Sequence, residues 1–174
     1  VVTAVCLPIL MSSRDGRVVA ALHGGWQGLV AGIVGAAVAR FNARGVASAD
    51  IRVAIGPGIK ACCYEVSAGF IEALQVGHGR LWEGAVPPWS QRRPLPERPP
   101  RFAPPEPRQA EQGAWLDLVA FCRQLFQAAG VGPAQIEASA VCTYCSGDAF
   151  ASHRRRQRLG EEKRQQYAWI ARKP

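Results

Sequence analysis

The sequence lacks the segments that would direct a chain into or across a membrane. No apolar run in its 174 residues approaches the roughly 20 residues that a membrane-spanning helix requires. It also lacks a charged start followed by an apolar core and a small-residue cleavage site, the pattern of a secretion signal. We therefore expect a cytoplasmic protein with no membrane partner, in which the six cysteines are reduced thiols.

Methionine is almost absent, since Met11 is the only one and the chain opens on Val1 within a β-rich run. We interpret this as a fragment whose natural N-terminal part is missing. The length and a hydrophobic content of 48% are sufficient for a core of useful size. Residues 1–174 are accordingly expected to form a single domain.

Acidic residues are also few: 13 Asp and Glu stand against 21 Lys and Arg, which gives a formal net charge of +8. Part of the excess lies in residues 84–113, rich in proline and arginine, which we expect to be a disordered or extended surface insertion. We further predict that residues 87–107 are dispensable for the fold. Stacking aromatics there are limited to Trp89 and Phe102, so a nucleic-acid partner is the weakest interpretation.

Outside the insertion, strand-like and helix-like stretches follow one another in mixed order. Residues 1–10 and 17–23 flank a polar turn at 12–16, which predicts an antiparallel hairpin. Helical spacing of apolar residues predicts helices over 28–41, 68–76 and 118–129, and further strands are expected at 51–55, 136–141 and 167–170. This mixture predicts an α/β fold of the mixed α+β kind.

A candidate site lies where the two hairpin strands end. The second strand delivers His23 to the glycine pair Gly24-Gly25, directly before a predicted helix, and Cys6 belongs to the first strand-like run. Neighbouring strands would bring the thiol and the imidazole into one cleft, less than about 8 Å apart. Cysteine and histidine together are a donor pair that suits zinc or copper. Backbone N–H groups at the glycine turn suit an anionic ligand.

The remaining cysteines give a weaker signal. Cys142 and Cys145 form a C-x-x-C pair, which is half of a zinc site, a redox pair, or two ordinary thiols. No second C-x-x-C pair is present and the adjacent Cys62 and Cys63 have no obvious partner, so we favour ordinary thiols.

Six short motifs recur in the order and spacing of one known family. They are T-A-V-C-L-P at 3–8, H-G-G-W-Q-G at 23–28, G-P-G-I at 56–59, Y-E-V at 64–66, L-D-L at 116–118, and C-T at 142–143 with F-A-S-H-R-R at 150–155. In these motifs the chain resembles the multicopper polyphenol oxidoreductase, or laccase-domain, family, whose members are zinc-dependent purine nucleoside phosphorylases. The resemblance runs from end to end apart from the proline-rich insertion.

The resemblance implies a layered mixed β-sheet with flanking helices and an enzyme that uses one metal ion. Such enzymes split adenosine, inosine or methylthioadenosine with phosphate, and some deaminate adenosine. Cys6 and His23 match two of the family's metal ligands, for zinc or alternatively copper, and are also the expected catalytic residues. The third ligand is a histidine upstream of residue 1. We expect Gly24, Gly25, Arg154 and Arg155 to bind phosphate and substrate.

The chain departs from the family pattern at three positions. Val5 replaces an acidic residue before the cysteine, Gln27 replaces an arginine, and Glu161 follows Gly160 where the family has arginine. These changes remove a proton-handling group and two cations suited to phosphate. Three interpretations therefore stand: a nucleoside-processing enzyme, a catalytically impaired relative without a competent metal site, and a basic nucleic-acid binder.

Overall fold

The computed structural model of the chain describes residues 1–107 and 113–172 and confirms the mixed α/β class. The strands are β1 (Val2–Thr3), β2 (Leu7–Ser13), β3 (Val19–Gly24), β4 (Ile51–Ile55), β5 (Glu65–Ser67), β6 (Trp89–Ser90), β7 (Gly113–Leu116), β8 (Ile136–Ala138) and β9 (Gln166–Tyr167). The helices are α1 (Trp26–Val30), α2 (Ile33–Asn42), α3 (Ala68–His78), α4 (Leu118–Ala128) and α5 (His153–Leu159). Among the described residues, no helix combines the length and the apolar character needed to cross a membrane.

The main sheet has the strand order β3-β2-β4-β8. The predicted hairpin is present as the antiparallel pair β2 and β3, and β4 runs antiparallel to β2 on its other side. β8 then adds parallel to β4, with Val53 opposite Ile136. Because β4 and β8 run in the same direction, the loops that follow them emerge at the same edge of the sheet.

Helices cover the sheet through their apolar stripes. The stripe predicted for residues 28–41 is buried in α2 at Val34, Val38 and Phe41. The single helix expected there is instead two helices, because Gly32 adopts a left-handed conformation with φ of 85° between α1 and α2. A residue with a side chain would be strained in that conformation, so glycine allows the chain to turn between the two helices.

Two smaller sheets complete the fold. One has the order β5-β7-β6, and the other joins β1 to β9 near the chain ends. The amino group of Val1 donates to the carbonyl of Ala168 at 2.7 Å, and Thr3 lies opposite Gln166. The C-terminal segment therefore lies beside the strand that leads to Cys6.

The described part of the proline-rich segment packs on the domain as largely irregular chain, so of the two forms expected for it, disordered or extended, the contacts favour the extended one. β6 pairs antiparallel with β7, and the guanidinium carbon of Arg93 lies 4.4 Å from the centre of the Trp115 ring. Lys60, which is buried, lies 3.8 Å from a carboxylate oxygen of Glu97. Residues 108–112 lie outside the described residues. These contacts argue against the prediction that residues 87–107 are dispensable.

Candidate active site

Cys6 and His23 meet at the end of the β2–β3 hairpin. Pro8 is opposite His23 and Leu7 is opposite Gly24, so Cys6, one residue before β2, faces Gly25. A Cβ atom at Gly25 would lie 3.0 Å from the Cys6 Sγ and 3.7 Å from the His23 Nε2. Since both atoms are this near to one point, they lie within about 7 Å of each other, inside the predicted limit for a shared metal ion.

The two glycines of the turn have little room for a side chain. A Cβ at Gly24 would come within 2.6 Å of the Ile9 side chain, so this glycine lets β3 lie against the core. The missing side chain at Gly25 leaves open the space between the thiol and the imidazole. The sequence Gly24-Gly25 therefore keeps the two candidate ligands adjacent and accessible.

These two side chains are chemically suited to zinc but make up only part of a shell. Thiolate sulfur and imidazole nitrogen are the donors that zinc prefers, and structural zinc usually has four ligands, catalytic zinc three and a water. Burial raises the pKa of the half-buried Cys6 thiol, while His23 is exposed. Within residues 1–107 and 113–172, no third His, Cys, Asp or Glu forms a ligand group with them.

A cavity of about 500 Å³ opens beside the pair, a size typical of small-molecule sites. Cys6, His23, Trp26 and Tyr64 contribute to its wall from the hairpin side. Residues of α5 and of the segment after it also line the cavity, and there basic side chains outnumber the two acidic ones, Glu161 and Glu162. The basic residues are His153, Arg154, Arg155, Arg156, Lys163 and Arg164.

The structure separates Arg154 from Arg155. Arg154 is half-buried and donates to the Glu65 carbonyl at 2.9 Å, with its guanidinium carbon 5.1 Å from the centre of the Tyr64 ring. Its side chain lies at the cavity wall, as a substrate-binding cation would.

Arg155 is only 1% exposed and is engaged by the protein itself. It donates to the carbonyls of Thr143, Tyr144 and Phe150 at 2.8, 3.0 and 3.0 Å and pairs with Glu161 at 2.6 Å. The role of Arg155 is therefore to hold the loop after β8 and the segment after α5. The phosphate role of Arg155 stays a prediction, and its burial argues for Arg154 as the better candidate.

Two aromatic cavity residues were not singled out from the sequence. Trp26 is 40% exposed and packs edge-on against Phe70, with ring centres 5.1 Å apart. Tyr64 is buried, and that burial raises the pKa of its phenol to about 12. Both belong to quoted motifs, so their positions could have been noted, but the cavity that joins them forms only in the folded chain.

The three positions at which the chain departs from the family pattern lie in different parts of the structure. Val5 lines the cavity beside Cys6, whereas Gln27 lies on the exposed side of α1 and is not part of the cavity wall. Glu161, where the family has arginine, forms the ion pair with Arg155. Of the three departures, the one at Val5 therefore touches the site most directly.

The remaining cysteines are not isolated thiols, which corrects the interpretation from sequence. Cys62, Cys63, Cys142 and Cys145 are all buried, and their sulfur atoms lie within 4.8 Å of one another. Cys122 lies apart in α4, where burial raises its pKa to about 12. The four-cysteine cluster is thus a second candidate metal centre.

Comparison with known proteins finds one matching family model and several similar proteins. A family model described as multi-copper polyphenol oxidoreductase laccase matches residues 1–170. The chain is 35% identical over 154 residues to purine nucleoside phosphorylase YlmD of Geobacillus stearothermophilus, covering 86% of this chain and 48% of that protein. It is 33% identical over 153 residues to adenosine deaminase RL5 from an unknown prokaryotic organism, covering 88% and 51%.

Solved structures agree in fold. The crystal structure of YlmD from Geobacillus stearothermophilus matches with a TM-score of 0.70 and 31% identity, over 90% of this chain and 51% of that one. Bacillus licheniformis hypothetical protein YfiH matches with a TM-score of 0.66 and 29% identity, over 90% and 51%. The chain thus spans about half the length of the relatives that it matches.

Proposed function

Since the chain belongs to the multi-copper polyphenol oxidoreductase laccase family, we propose that its cavity is the active site of a purine nucleoside phosphorylase. The substrates would be adenosine, inosine or methylthioadenosine together with phosphate. The name of the YlmD relative supports this assignment. In the reaction a phosphate oxygen bonds to the anomeric carbon, and the electrons of the glycosidic bond leave with the purine.

One observation carries the proposal: Cys6 and His23 meet at the wall of a cavity of nucleoside size. A soft donor pair beside an open cavity is the arrangement of a metal site that a substrate can reach. A purely structural pair of the same residues would be expected to be closed off from solvent.

Cys6 and His23 would hold the metal, for which zinc is the proposed identity and copper the alternative. A zinc ion there would supply Lewis-acid polarisation of a bound water or substrate atom. Because the described residues provide only two ligands, we expect this chain alone to bind zinc weakly, and a histidine outside it to be the third ligand.

The chain's own residues would bind and orient the two substrates. The planar guanidinium of Arg154 suits a phosphate oxygen pair. Gly24 and Gly25, which were expected to bind the same anion, are not among the residues that line the cavity, so their phosphate role stays a prediction. Trp26 and Tyr64 provide aromatic surfaces against which a purine ring packs. A purine held there would lie next to the donor pair, with phosphate on the basic side of the cavity.

Deamination of adenosine at the same site is a second candidate function, favoured by the 33% identity to adenosine deaminase RL5. The two reactions differ in what they consume and release. Phosphorolysis requires phosphate and gives adenine and ribose 1-phosphate, whereas deamination requires only water and gives inosine and ammonia.

The test is to incubate the 174-residue chain with adenosine, with and without phosphate, in buffers supplemented with zinc or copper. We expect phosphate-dependent release of adenine, weak unless zinc is added in excess. His23→Ala should reduce this rate by about 10²- to 10³-fold, because it removes one of the two ligands present. Products are resolved by liquid chromatography, which also detects inosine.

His78→Ala is the matched control, because His78 packs against Phe121 away from the cavity. It should retain the wild-type rate wherever the variant remains folded by circular dichroism. A wild-type chain that binds zinc but yields neither adenine nor inosine would contradict the proposal and favour a catalytically impaired relative.

A further inference from the structure

We propose that Cys62, Cys63, Cys142 and Cys145 form a four-thiolate binding site for a single zinc ion. This site is independent of the Cys6–His23 pair and goes beyond the proposed function. It would serve to stabilise the fold rather than to turn over substrate.

The distances between the sulfur atoms suit one tetrahedral ion. Cys62 and Cys63 have their sulfurs 3.6 Å apart, and the Cys145 sulfur lies 3.8 and 3.2 Å from these two. All four sulfurs lie within 4.8 Å of one another. Zinc–sulfur bonds of about 2.3 Å place the corners of a tetrahedron roughly 3.8 Å apart, so small side-chain movements would complete the shell.

The topology of the main sheet brings the two cysteine pairs together. Cys62 and Cys63 come shortly after β4, and Cys142 and Cys145 come shortly after the parallel neighbour β8. The two loops are joined by a bridge between Gly58 and Cys142, where the Thr143 amide donates to the Gly58 carbonyl at 3.0 Å. The backbone contacts between the two loops therefore hold the two cysteine pairs side by side.

The C-x-x-C turn is further fixed by its own contacts. The amide and the hydroxyl of Ser146 donate to the Cys142 carbonyl at 3.1 and 2.8 Å. The buried Arg155 guanidinium donates to both carbonyls between the two cysteines, those of Thr143 and Tyr144. These hydrogen bonds fix the backbone of the turn that carries both cysteines.

The described part of the proline-rich segment covers the cluster. The amides of Arg101 and Phe102 donate to the Cys145 carbonyl at 2.8 and 3.2 Å. The guanidinium carbon of Arg155 lies 5.3 Å from the centre of the Phe102 ring. All four cysteines are at most 6% exposed, which leaves no open coordination position for a substrate. A closed set of four ligands is typical of structural zinc.

Other uses of the four thiols fit less well. Tetrahedral four-thiolate sites take zinc or iron–sulfur clusters, and the thiolates around a cubane cluster lie farther apart because the cluster fills the space between them. A disulfide has sulfurs about 2.05 Å apart and would engage two of the four cysteines. The compact arrangement of all four sulfurs therefore favours a single ion.

The experiment measures metal content in a background without the candidate active-site ligands. The double variant Cys6→Ser/His23→Ala is purified under reducing conditions, and its zinc is determined by plasma mass spectrometry. We expect about one zinc per chain. Adding Cys142→Ser and Cys145→Ser should reduce this at least tenfold, whereas Cys122→Ser, which alters a buried cysteine outside the cluster, should leave it unchanged.

A second measurement does not depend on whether the cysteine variants fold. Zinc is removed from the Cys6→Ser/His23→Ala variant with a chelator under reductant, and Co²⁺ is titrated in. We expect saturation at one equivalent, with the strong charge-transfer and d–d absorption of tetrahedral cobalt thiolate, and displacement of the cobalt by zinc. The proposal is overturned by the absence of these bands, by iron as the bound metal, or by a cluster disulfide that survives reducing purification.

Discussion

The two cysteine-containing sites of this chain differ in exposure more than in chemistry. Cys6 is half-buried and its neighbour His23 is exposed at a cavity, whereas the four clustered cysteines are closed off from solvent. An accessible donor pair can be reached by a substrate, and an enclosed set can act only on the stability of the fold. Substitutions in the first region should therefore change activity, and substitutions in the second should change stability.

The largest effect is expected from a pair of matched cysteine substitutions. Cys145→Ala removes a buried ligand candidate and should lower the free energy of unfolding by at least about 3 kcal/mol in zinc-replete buffer. Cys6→Ala should lower it by less than about 1 kcal/mol. Urea denaturation followed by circular dichroism measures both. Equal losses would remove the distinction between the two sites.

Arg154 and Arg155 test the same distinction between residues that affect activity and residues that affect stability. Arg155→Met leaves three buried carbonyls and Glu161 without their cation, so we expect a loss of about 3–5 kcal/mol in unfolding free energy. Arg154→Met should cost less stability than Arg155→Met but raise the KM for phosphate. Chemical denaturation and steady-state kinetics on both variants check this, and a folded, stable Arg155→Met protein would disprove the structural role.

Tyr64 gives a pH-dependent effect of intermediate size. Its pKa of about 12 in the fold lies above the value of about 10 expected when unfolded. Its contribution is therefore complete below pH 10 and is lost as the pH rises toward 12, because the unfolded chain releases the proton first. By linkage the loss approaches about 2–3 kcal/mol.

Tyr64→Phe should therefore weaken the fall in stability between pH 10 and pH 12. The exposed Tyr167→Phe is the matched control and should follow the wild-type curve. Urea denaturation at several alkaline pH values supplies the data. Identical curves for Tyr64→Phe and the wild type would show that the phenol is not protected from ionisation by burial.

The smallest effects are expected at the replaced motif positions. Val5→Asp places a carboxylate at the cavity wall and should raise the phosphorolysis rate several-fold if that position handles a proton. Gln27→Arg lies on the exposed side of α1 and should change the rate less than twofold. A larger gain from Gln27→Arg would mean that this side chain reaches the phosphate.

Local sequence predicted much of the framework. The hairpin of β2 and β3 followed from two apolar runs around a polar turn, and the α2 stripe followed from helical spacing. The break at Gly32 was missed, since glycine is compatible with both a weakened helix and a turn. The packing of Arg93 on Trp115 was missed as well, because proline content excludes regular structure but not close contact.

By itself, the sequence determined which candidate ligands come together within a single hairpin. His23 lies on β3 and Cys6 directly precedes β2, and a short turn joins these strands, so strand pairing alone predicts that the two residues meet. Tertiary structure alone decided that Arg155 is fully buried while its neighbour Arg154 is half-buried, and that two cysteine pairs about 80 residues apart form one cluster. Those outcomes depend on how β4 and β8 pair in parallel, a long-range contact that no local pattern specifies.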